Sequence, residues 1–551
     1  MHSPRARRAP LTADTLLAAG CVGLIAVLLA DIMTFGYGRD QGIYAMVARA
    51  VVAGKMPYRD AWDFKPPGIF LVYAASRAVL GGSAWGIRLV ECLGLAGMVV
   101  GMARLTERWW GSRLLGLFAG AVAVLVHAQL DFWHTAQPES FGGMLTVAAL
   151  VALGPGPWSG EALPSGREAW LRWAGAGAIF GFTGLLKPPL AGGGAVVAVA
   201  IAIAAYRERR EVRAALLPVA ALTIGGALPI ALCLAWFFAR GALRDLWEVL
   251  FVFTPHYTRL SWEGETLSGM AYWGFTEWLC SYSSVPTLGL LLTLGLGTAP
   301  RERPGALVLL GVIAVHLVGV TMQGKFFPYH FGATWPLTAL VASLGFFRVW
   351  ERLEKSRLGI ATAPVFMAGV ALVSLGRSAT KDLPDGFGAR LAKRLEIMTH
   401  APRDTRAVDA LASVADVNAA ENRAVAEELR ARVPAGEPVF IWGFEPVIYD
   451  LADRDPATRY LYDVPQRVAW AKAKERATLM RDLEAHRPRA IVVERRDVFP
   501  MVTGDVIDSA DTLPRFPELR DMLAGGYRRE ESIGDFDLYF ARDLALEPRA
   551  R

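Results

Sequence analysis

The sequence predicts a mainly α-helical bundle that crosses a membrane many times and ends in a small α/β domain. Of the 551 residues, 53% are hydrophobic and only 20% are charged, a balance too apolar for a soluble protein of this length. Apolar segments of helical length follow one another as far as residue 376. Beyond it, charged residues are frequent and apolar runs have the length of strands. We therefore divide the chain into a membrane domain, residues 1–376, and a second domain, residues 377–551.

About eleven segments have the length and apolarity of membrane-spanning helices. They lie near residues 14–34, 86–103, 113–129, 139–153, 170–186, 189–205, 214–238, 285–299, 305–322, 331–347 and 359–376. Arginine and lysine cluster in every second connection, which the positive-inside rule places in the cytoplasm. We expect a multi-pass protein of the plasma (inner) membrane, with a cytoplasmic N-terminus and the second domain outside the cytoplasm.

The distribution of charge argues against a nucleic-acid partner. The formal net charge is +6, and residues 1–376 hold 30 Lys and Arg against 21 Asp and Glu, whereas residues 377–551 hold 28 against 31. The excess of basic residues thus belongs to the short connections between apolar segments, and no basic helix or aromatic-lined groove is apparent. The four cysteines are widely spaced, which indicates neither a disulfide framework nor a zinc site.

The first outer connection, residues 35–85, is long enough to suggest a function. Ile43, Val47 and Val51 recur at helical spacing and predict an amphipathic helix along the membrane surface. Asp40 lies at the start of that helix. Its carboxylate could cap the helix, or it could take a proton from an attacking group near the membrane surface.

A second feature of this connection is Lys65, which precedes two prolines that preset a turn into another helix. The lysine could extend to the membrane interface, or it could bind a lipid phosphate. Lys187 repeats the Lys-Pro-Pro arrangement at another outer turn. Two cations at proline-fixed helix starts could stabilise the charge on one departing phosphate.

Other outer residues are candidates for a pocket around these groups. They are Arg39, Tyr44, Asp60 and Asp63 in the first connection, Asp131, His134, Gln137 and Glu139 near the fourth segment, and Lys325, Tyr329 and His330 before the tenth. The histidines have an ordinary alternative as interface residues, and the acidic and imidazole groups show no metal-ligand spacing. Arg88 and Glu91, one turn apart, predict an ion pair that anchors their helix.

The second domain predicts a small α/β fold. Residues 439–442, 490–493 and 536–540 read as strands, and a helical pattern precedes the first of them. No phosphate-binding glycine loop or catalytic triad is apparent in its sequence. We expect a structural cap or a module that docks an acceptor.

These motifs resemble the GT-C membrane glycosyltransferases, in particular the family 39 group of protein O-mannosyltransferases and lipid A aminoarabinose transferases. The resemblance covers about residues 14–376 and is strongest in 35–105. It is carried by Arg39-Asp40-Gln41-Gly42-Ile43-Tyr44, by Pro57-Tyr58 through Lys65-Pro66-Pro67-Gly68 to Gly82 and Arg88, and by Gly184-Leu185-Leu186-Lys187-Pro188.

The resemblance implies a transfer of a sugar from a polyprenyl-phosphate carrier to a glycan, lipid or protein acceptor, by direct inverting displacement. It assigns Asp40 and Glu139 as the acids of the site and Lys65 and Lys187 to the carrier phosphate. It also leaves a divalent metal open as a cofactor. The sequence departs from the family pattern in two places, because Gln41 follows Asp40 where the family often has Glu, and the second acid is Glu139 instead of Asp.

Two other functions agree with the sequence. A transporter or flippase for lipid-linked sugars would handle the same substrate, although such proteins often place polar groups near the membrane centre and contain internal repeats. A non-catalytic membrane scaffold would use the second domain to recruit partners.

Overall fold

The computed structural model describes residues 12–281, 283–376, 386–399, 405–414 and 417–543. In the membrane domain the helices are α1 (Ala13–Ile32), α2 (Arg39–Val52), α3 (Gly68–Leu80), α4 (Ala84–Trp110), α5 (Arg113–Ala128), α6 (Pro138–Leu153), α7 (Gly166–Leu186), α8 (Gly192–Arg209), α9 (Val212–Ala239), α10 (Leu243–Trp247), α11 (Thr254–Arg259), α12 (Leu267–Thr276), α13 (Ser284–Leu296), α14 (Arg303–Gln323), α15 (Trp335–Glu354) and α16 (Thr362–Ser374). A helix stands at each of the predicted apolar segments.

Five of the described helices are both long and apolar enough to cross a membrane, namely α1, α4, α9, α14 and the segment Pro188–Arg209 that contains α8. Shorter apolar helices, among them α5, α6 and α13, accompany them. The chain is thus a multi-pass membrane protein, and the count of about eleven spans stays a prediction.

Helices α7 and α9 lie in close backbone contact. A Cβ atom on Gly177 would overlap the Leu222 carbonyl oxygen, and one on Gly225 would overlap that of Ala174. Small residues allow such an approach, which provides the van der Waals contact that holds helices together where water is absent. The contact fixes α7, the helix that ends next to Lys187.

The two helices predicted in the first outer connection are confirmed as α2 and α3. The surroundings of α2 differ from the expectation of a helix along an open surface, because all its residues from 41 to 48 are buried. The second domain covers it, and a Cβ atom on Gly42 would lie 3.1 Å from Val447.

The described part of the second domain contains nine helices and one four-stranded sheet. The helices are α17 (Gly386–Thr399), α18 (Thr405–Leu411), α19 (Ala419–Arg432), α20 (Val447–Ala452), α21 (Val464–Arg467), α22 (Lys472–Ala485), α23 (Pro500–Thr503), α24 (Ser509–Thr512) and α25 (Pro517–Gly526). The strands are β1 (Val439–Trp442), β2 (Ala490–Glu494), β3 (Tyr527–Ile533) and β4 (Phe536–Ala541), in the order β1-β2-β4-β3. The predicted boundary after residue 376 meets residues 377–385, which lie outside the described part.

Three predicted strands are confirmed, and β3 was missed. Strands β1 and β2 pair in parallel, while β4 pairs antiparallel with both β2 and β3. Strand β3 stands at the edge of the sheet and is charged through its middle, with Arg528 and Arg529 exposed. Charged side chains protect an edge strand from further pairing, and they also remove the apolar alternation by which a strand is recognised.

The predicted ion pair between Arg88 and Glu91 is confirmed, and it lies at the centre of a fully buried network. Arg88 Nη1 is 2.8 Å from Glu91 Oε2, and both side chains are 0% exposed. His127 Nε2 lies 2.9 Å from the other oxygen of Glu91, and the guanidinium also donates to Thr135 Oγ1 at 2.9 Å. The network therefore fixes the turn between α5 and α6.

Asp131 in the same turn has a different role from the one expected. Its two carboxylate oxygens are 2.6 Å from Arg390 Nε and 2.7 Å from Arg394 Nη2, and all three side chains are buried. Asp131 thus binds helix α17 of the second domain instead of joining the predicted pocket.

The contacts of Gln41 account for a glutamine at a position where the family that the motifs resemble often has glutamate. Its Nε2 lies 3.0 Å from the Phe132 and Trp133 carbonyl oxygens and 2.7 Å from that of Thr135. Its Oε1 accepts the Gly38 N–H at 3.0 Å. The amide therefore connects the start of α2 to the turn before α6, and a glutamate here would direct a carboxylate at three carbonyl oxygens.

We expect Gln41→Glu to destabilise the protein by about 3 kcal/mol, because it buries a charge among acceptors without a donor. Thermal unfolding of the purified protein in detergent measures this as a lower Tm. The control is Gln323→Glu, whose amide is half-buried and donates to one carbonyl oxygen, that of Gly319 at 2.8 Å. Equal melting temperatures for the two variants would contradict the role given to Gln41.

Candidate active site

The two Lys-Pro-Pro turns meet because Gly68 lies directly against the end of α7. A Cβ atom at residue 68 would be 2.6 Å from the carbonyl carbon of Leu185 and 2.7 Å from the backbone nitrogen of Leu186. No other amino acid fits here without displacing backbone. Lys65 before one turn and Lys187 before the other are thereby brought to the same place.

Asp40 and Lys65 form the first ion pair of the site. Lys65 Nζ is 3.5 Å from Asp40 Oδ2, and the side chains are 20% and 24% exposed. Asp40 does not cap α2, since Gly38 occupies the cap position and Asp40 stands in the first turn. Burial alone would lower the pKa of Lys65, but the neighbouring carboxylates, Asp40 foremost, outweigh burial and raise it.

Glu139 and Lys187 form the second pair. Glu139 follows Pro138 in the first turn of α6, is 1% exposed, and has its Oε1 in contact with Lys187 Nζ. Its Oε2 has no hydrogen-bond partner within the described structure. Burial lowers the pKa of Lys187, with Lys65 adding to the effect and Glu139 opposing it. The second pair therefore has an unused carboxylate oxygen inside the protein.

Tyr329 and two histidines line the site beside these pairs. The Tyr329 ring stacks on His134 with centroids 5.7 Å apart and meets His330 edge-on at 4.5 Å. Lys65 Nζ lies 5.8 Å from the Tyr329 ring centroid. Burial raises the pKa of Tyr329, and the charge of Asp40 is the next largest cause. The predicted Tyr329 and His330 are thus brought to Asp40 and Lys65.

The charges of three lysines act on His330. Burial lowers the pKa of His330 far below its ordinary value, and the charges of Lys187, Lys65 and Lys325 lower it further. Lys325 donates to the Met501 carbonyl oxygen of the second domain and lies 4.0 Å from the Tyr257 ring centroid. Burial, with Lys65 adding to the effect, lowers its pKa to about 8. Burial and the lysine charges therefore both favour the neutral imidazole of His330.

Asp63 lies behind Lys65 and is 0% exposed. Its Oδ1 accepts the Tyr462 hydroxyl of the second domain at 2.7 Å, and its Oδ2 accepts the Lys65 N–H at 3.4 Å. Burial raises the pKa of Asp63, while the Lys65 charge and the Tyr462 hydrogen bond oppose the rise. Asp63 therefore supports the lysine.

The structure places the other predicted pocket residues around the site. Tyr44 is a buried residue of α2, and its hydroxyl lies 3.0 Å from Gln137 Oε1. Arg39 turns to the second domain, where its Nη2 is 2.7 Å from Glu445 Oε1. Asp60 accepts the Met56 N–H at 2.7 Å and pairs with Arg59. These residues connect or stabilise the segments that carry the site.

Asp60 also lines a separate cavity of 880 Å³ between the first outer connection and the second domain. Its lining contains none of Asp40, Lys65, Glu139 and Lys187. This cavity is therefore distinct from the cluster of paired charges.

The donor set does not fit a divalent metal, although the resemblance leaves one open. Each acid of the site faces an ammonium group, Lys65 for Asp40 and Lys187 for Glu139, which would repel a dication. Within the described ranges, no three His, Cys, Asp or Glu side chains form a group able to hold a metal.

Sequence reasoning missed the contribution of the second domain to this site. Tyr462 and the Met501 carbonyl group contact Asp63 and Lys325 from the far end of the chain. Tyr462 lies in an irregular segment between α20 and α21, and no periodicity or motif around it indicates a distant partner. Only the docking of the two domains brings these groups together.

Comparison with known proteins gives relatives for both sequence and fold. No family model matches the chain. Galactan 5-O-arabinofuranosyltransferase of Mycobacterium tuberculosis is 27% identical over 273 residues, which are 48% of this chain and 39% of that protein. The chain thus matches well under half the length of this relative.

Two solved structures share the whole fold. ArnT from Cupriavidus metallidurans in the apo state has a TM-score of 0.56 at 14% identity, covering 96% of this chain and 100% of that one. The same protein bound to undecaprenyl phosphate has a TM-score of 0.53 at 14% identity, with 97% and 99% covered. The chain therefore has the fold of ArnT.

Proposed function

We propose that this protein transfers a sugar from a polyprenyl-phosphate carrier to an acceptor on the extracytoplasmic side of the plasma (inner) membrane. The observation that carries the proposal is the pair of adjoining ion pairs, Asp40 with Lys65 and Glu139 with Lys187. They combine a partly exposed carboxylate with cations held by rigid turns. A base and an anion site at the same place are what this reaction requires.

The lysines are suited to the carrier phosphate. The charges of Lys65, Lys187 and Lys325 all act on His330. Asp40 and Glu139 face the first two, whereas Lys325 donates to a carbonyl oxygen, so its positive charge favours an anionic ligand. A phosphodiester between lipid and sugar carries one negative charge and gains a second when the sugar leaves. The lysines would therefore bind the leaving group more strongly in the transition state than in the bound donor.

Asp40 acts as the base. Its carboxylate takes the proton of an acceptor hydroxyl while the hydroxyl oxygen forms a bond to the anomeric carbon of the donor sugar. The bond from that carbon to the carrier phosphate oxygen breaks in the same step, and the electron pair leaves with the phosphate. Displacement from the opposite face inverts the anomeric configuration, as the family resemblance implies.

Glu139 orients a sugar. Its Oε2 is buried and unpartnered in the described structure, and an unsatisfied buried acceptor costs about 1–3 kcal/mol. A sugar hydroxyl that donates to this oxygen would remove that cost. Specificity for donor or acceptor would then follow from a hydrogen bond that an analogue without the hydroxyl cannot make.

The relatives support the same chemistry. One structure of the shared fold contains undecaprenyl phosphate, which is the carrier part of the proposed donor. The sequence relative is named for transfer of arabinofuranose to galactan, which supports a glycan as acceptor. The polar groups of the site lie in connections between helices or in the first turn of a helix, where an enzyme meets an acceptor, whereas a flippase would place them near the membrane centre.

We expect Asp40→Asn to lower kcat for sugar transfer by roughly 10²- to 10⁴-fold, the usual contribution of a positioned base. Purified protein in lipid nanodiscs, labelled polyprenyl-phosphate sugars and envelope extract as acceptor allow release of sugar from the carrier to be measured. Asp453→Asn is the control, since that carboxylate is 75% exposed and pairs with Arg49. Full activity of the Asp40 variant would exclude Asp40 as the base.

We expect Lys65→Met and Lys187→Met each to raise the KM for the lipid donor by roughly 10- to 100-fold, because each removes a charged hydrogen bond to phosphate. Steady-state kinetics with varied donor measures the change. Lys474→Met is the matched control, because Lys474 is 65% exposed and pairs with Glu248 outside the site. An unchanged KM in both site variants would show that the phosphate binds elsewhere.

The affinity for the donor should fall as the pH rises through about 8. The pKa of Lys325 is lowered to about 8 by burial, so its charge is present below that pH and is lost above it. The KM for the lipid donor, measured between pH 6.5 and 9.5, should rise in the upper part of this range. Lys325→Arg should remove the rise because a guanidinium stays charged. If the KM of Lys325→Arg depended on pH as that of the wild type does, Lys325 would be excluded from the phosphate site.

A further inference from the structure

The backbone of Lys65 is hydrogen-bonded through both its N–H and its carbonyl oxygen. Its N–H donates to Asp63 Oδ2 at 3.4 Å, and its carbonyl oxygen accepts the Tyr58 hydroxyl at 2.9 Å. Tyr58 itself has a φ of 69°, a conformation that a bulky residue adopts only where its surroundings enforce it. With Pro66 and Pro67 following, the backbone at Lys65 has little freedom.

The support that Asp63 gives to Lys65 depends on the second domain. A carboxylate that is 0% exposed is costly unless it is paired and hydrogen-bonded. Its Oδ1 accepts the hydroxyl of Tyr462 at 2.7 Å, a donor from the segment between α20 and α21. The charged form of Asp63 next to Lys65 is therefore stabilised by a residue about 400 positions away in sequence.

The ring of Tyr462 is packed so that its hydroxyl has a fixed direction. It lies edge-on to Trp62 with centroids 5.8 Å apart and 4.9 Å from the ring of Phe444. The neighbouring backbones are also joined, because the Trp62 N–H donates to the Arg459 carbonyl oxygen at 2.7 Å. Side chain and backbone thus dock this segment onto the residues that precede Lys65.

We propose that Tyr462 is a positioning residue of the phosphate site, which acts through Asp63 to hold Lys65 in place, so that the second domain completes the site. The proposal rests on the proposed function, since it gives a role to the lysine assigned to the carrier phosphate. The second domain also holds Lys325, which donates to the Met501 carbonyl oxygen. Two of the three lysines are thus supported by that domain, beyond the capping or docking role expected from the sequence.

The effect of Tyr462 on binding should depend on pH, because its hydroxyl bonds to the ionisable Asp63. The ionisable groups that act on Asp63 or are affected by its charge are Lys65, Asp40, Tyr462, Tyr58, Tyr44 and Tyr257. Loss of the Tyr462 hydrogen bond would raise the pKa of Asp63 further, since that bond opposes the effect of burial. Asp63 would then lose its charge at a higher pH than in the wild type, and the defect would grow as the pH falls.

The test is the binding of undecaprenyl phosphate, without a sugar, to the full chain in nanodiscs. Tyr462→Phe keeps the ring and removes only the hydroxyl. Tyr460→Phe is the matched control, because Tyr460 is as deeply buried two residues earlier but its hydroxyl contacts Glu475 inside the second domain. We expect binding by Tyr462→Phe to be roughly tenfold weaker, the effect of one hydrogen bond to a charged group. Binding by Tyr460→Phe should equal that of the wild type.

Repetition of the measurement between pH 5 and 8 separates positioning from general damage. At each pH, binding by Tyr462→Phe is compared with binding by the wild type. A deficit of the variant that shrinks as the pH rises, with the Tm unchanged, supports the proposal. Equal binding by the Tyr462→Phe variant and the wild type, or a defect that is the same at every pH, overturns it. Wild-type binding without transfer from any labelled donor would overturn the transferase proposal alone, and no wild-type binding would overturn both.

Discussion

The close contact of Gly68 with the backbone of Leu185 and Leu186 is the constraint on which the site depends. It joins a turn in the first outer connection to the end of α7, and it requires a residue without a side chain. Each turn brings a lysine, and two lysines side by side would repel each other. The structure balances them with Asp40 from the start of α2 and Glu139 from the start of α6.

The position of these acids follows from the helices that carry them. Both stand in the first turn of a helix, where the helix dipole favours a negative charge. Gln41 and the buried network around Glu91 connect those two helix starts through the turn between α5 and α6. The spacing between the two helix starts that carry Asp40 and Glu139 is therefore set by buried hydrogen bonds. Such preorganisation is what electrostatic catalysis needs.

The second domain is part of this arrangement. It covers α2, binds Arg39 through Glu445, holds Asp131 through Arg390 and Arg394, and supplies Tyr462 to Asp63. These contacts are buried ion pairs and hydrogen bonds, which are costly to break one partner at a time. They explain why several acids and bases that look like pocket residues in the sequence serve to join the domains.

Local patterns in the sequence determined most of the helices, turns and strands. Apolar length gave the helices of the membrane domain, the proline pairs gave the two turns, and alternation gave three strands, because each of these features is decided by neighbouring residues. The ion pair of Arg88 with Glu91 was also within reach, since helical spacing places the two side chains one turn apart. Strand β3 was missed because an edge strand does not need an apolar face.

Only the tertiary structure decided which polar groups share a site. The sequence allowed Asp40 to be a cap or a base, and the structure places Gly38 at the cap and Asp40 in contact with Lys65, 25 residues later. It could not separate Asp131, which binds α17, from Glu139, which pairs with Lys187. The sequence also did not indicate that Tyr462 would contact Asp63. Contacts between distant segments depend on how whole helices and domains pack, and no local spacing of residues records that packing.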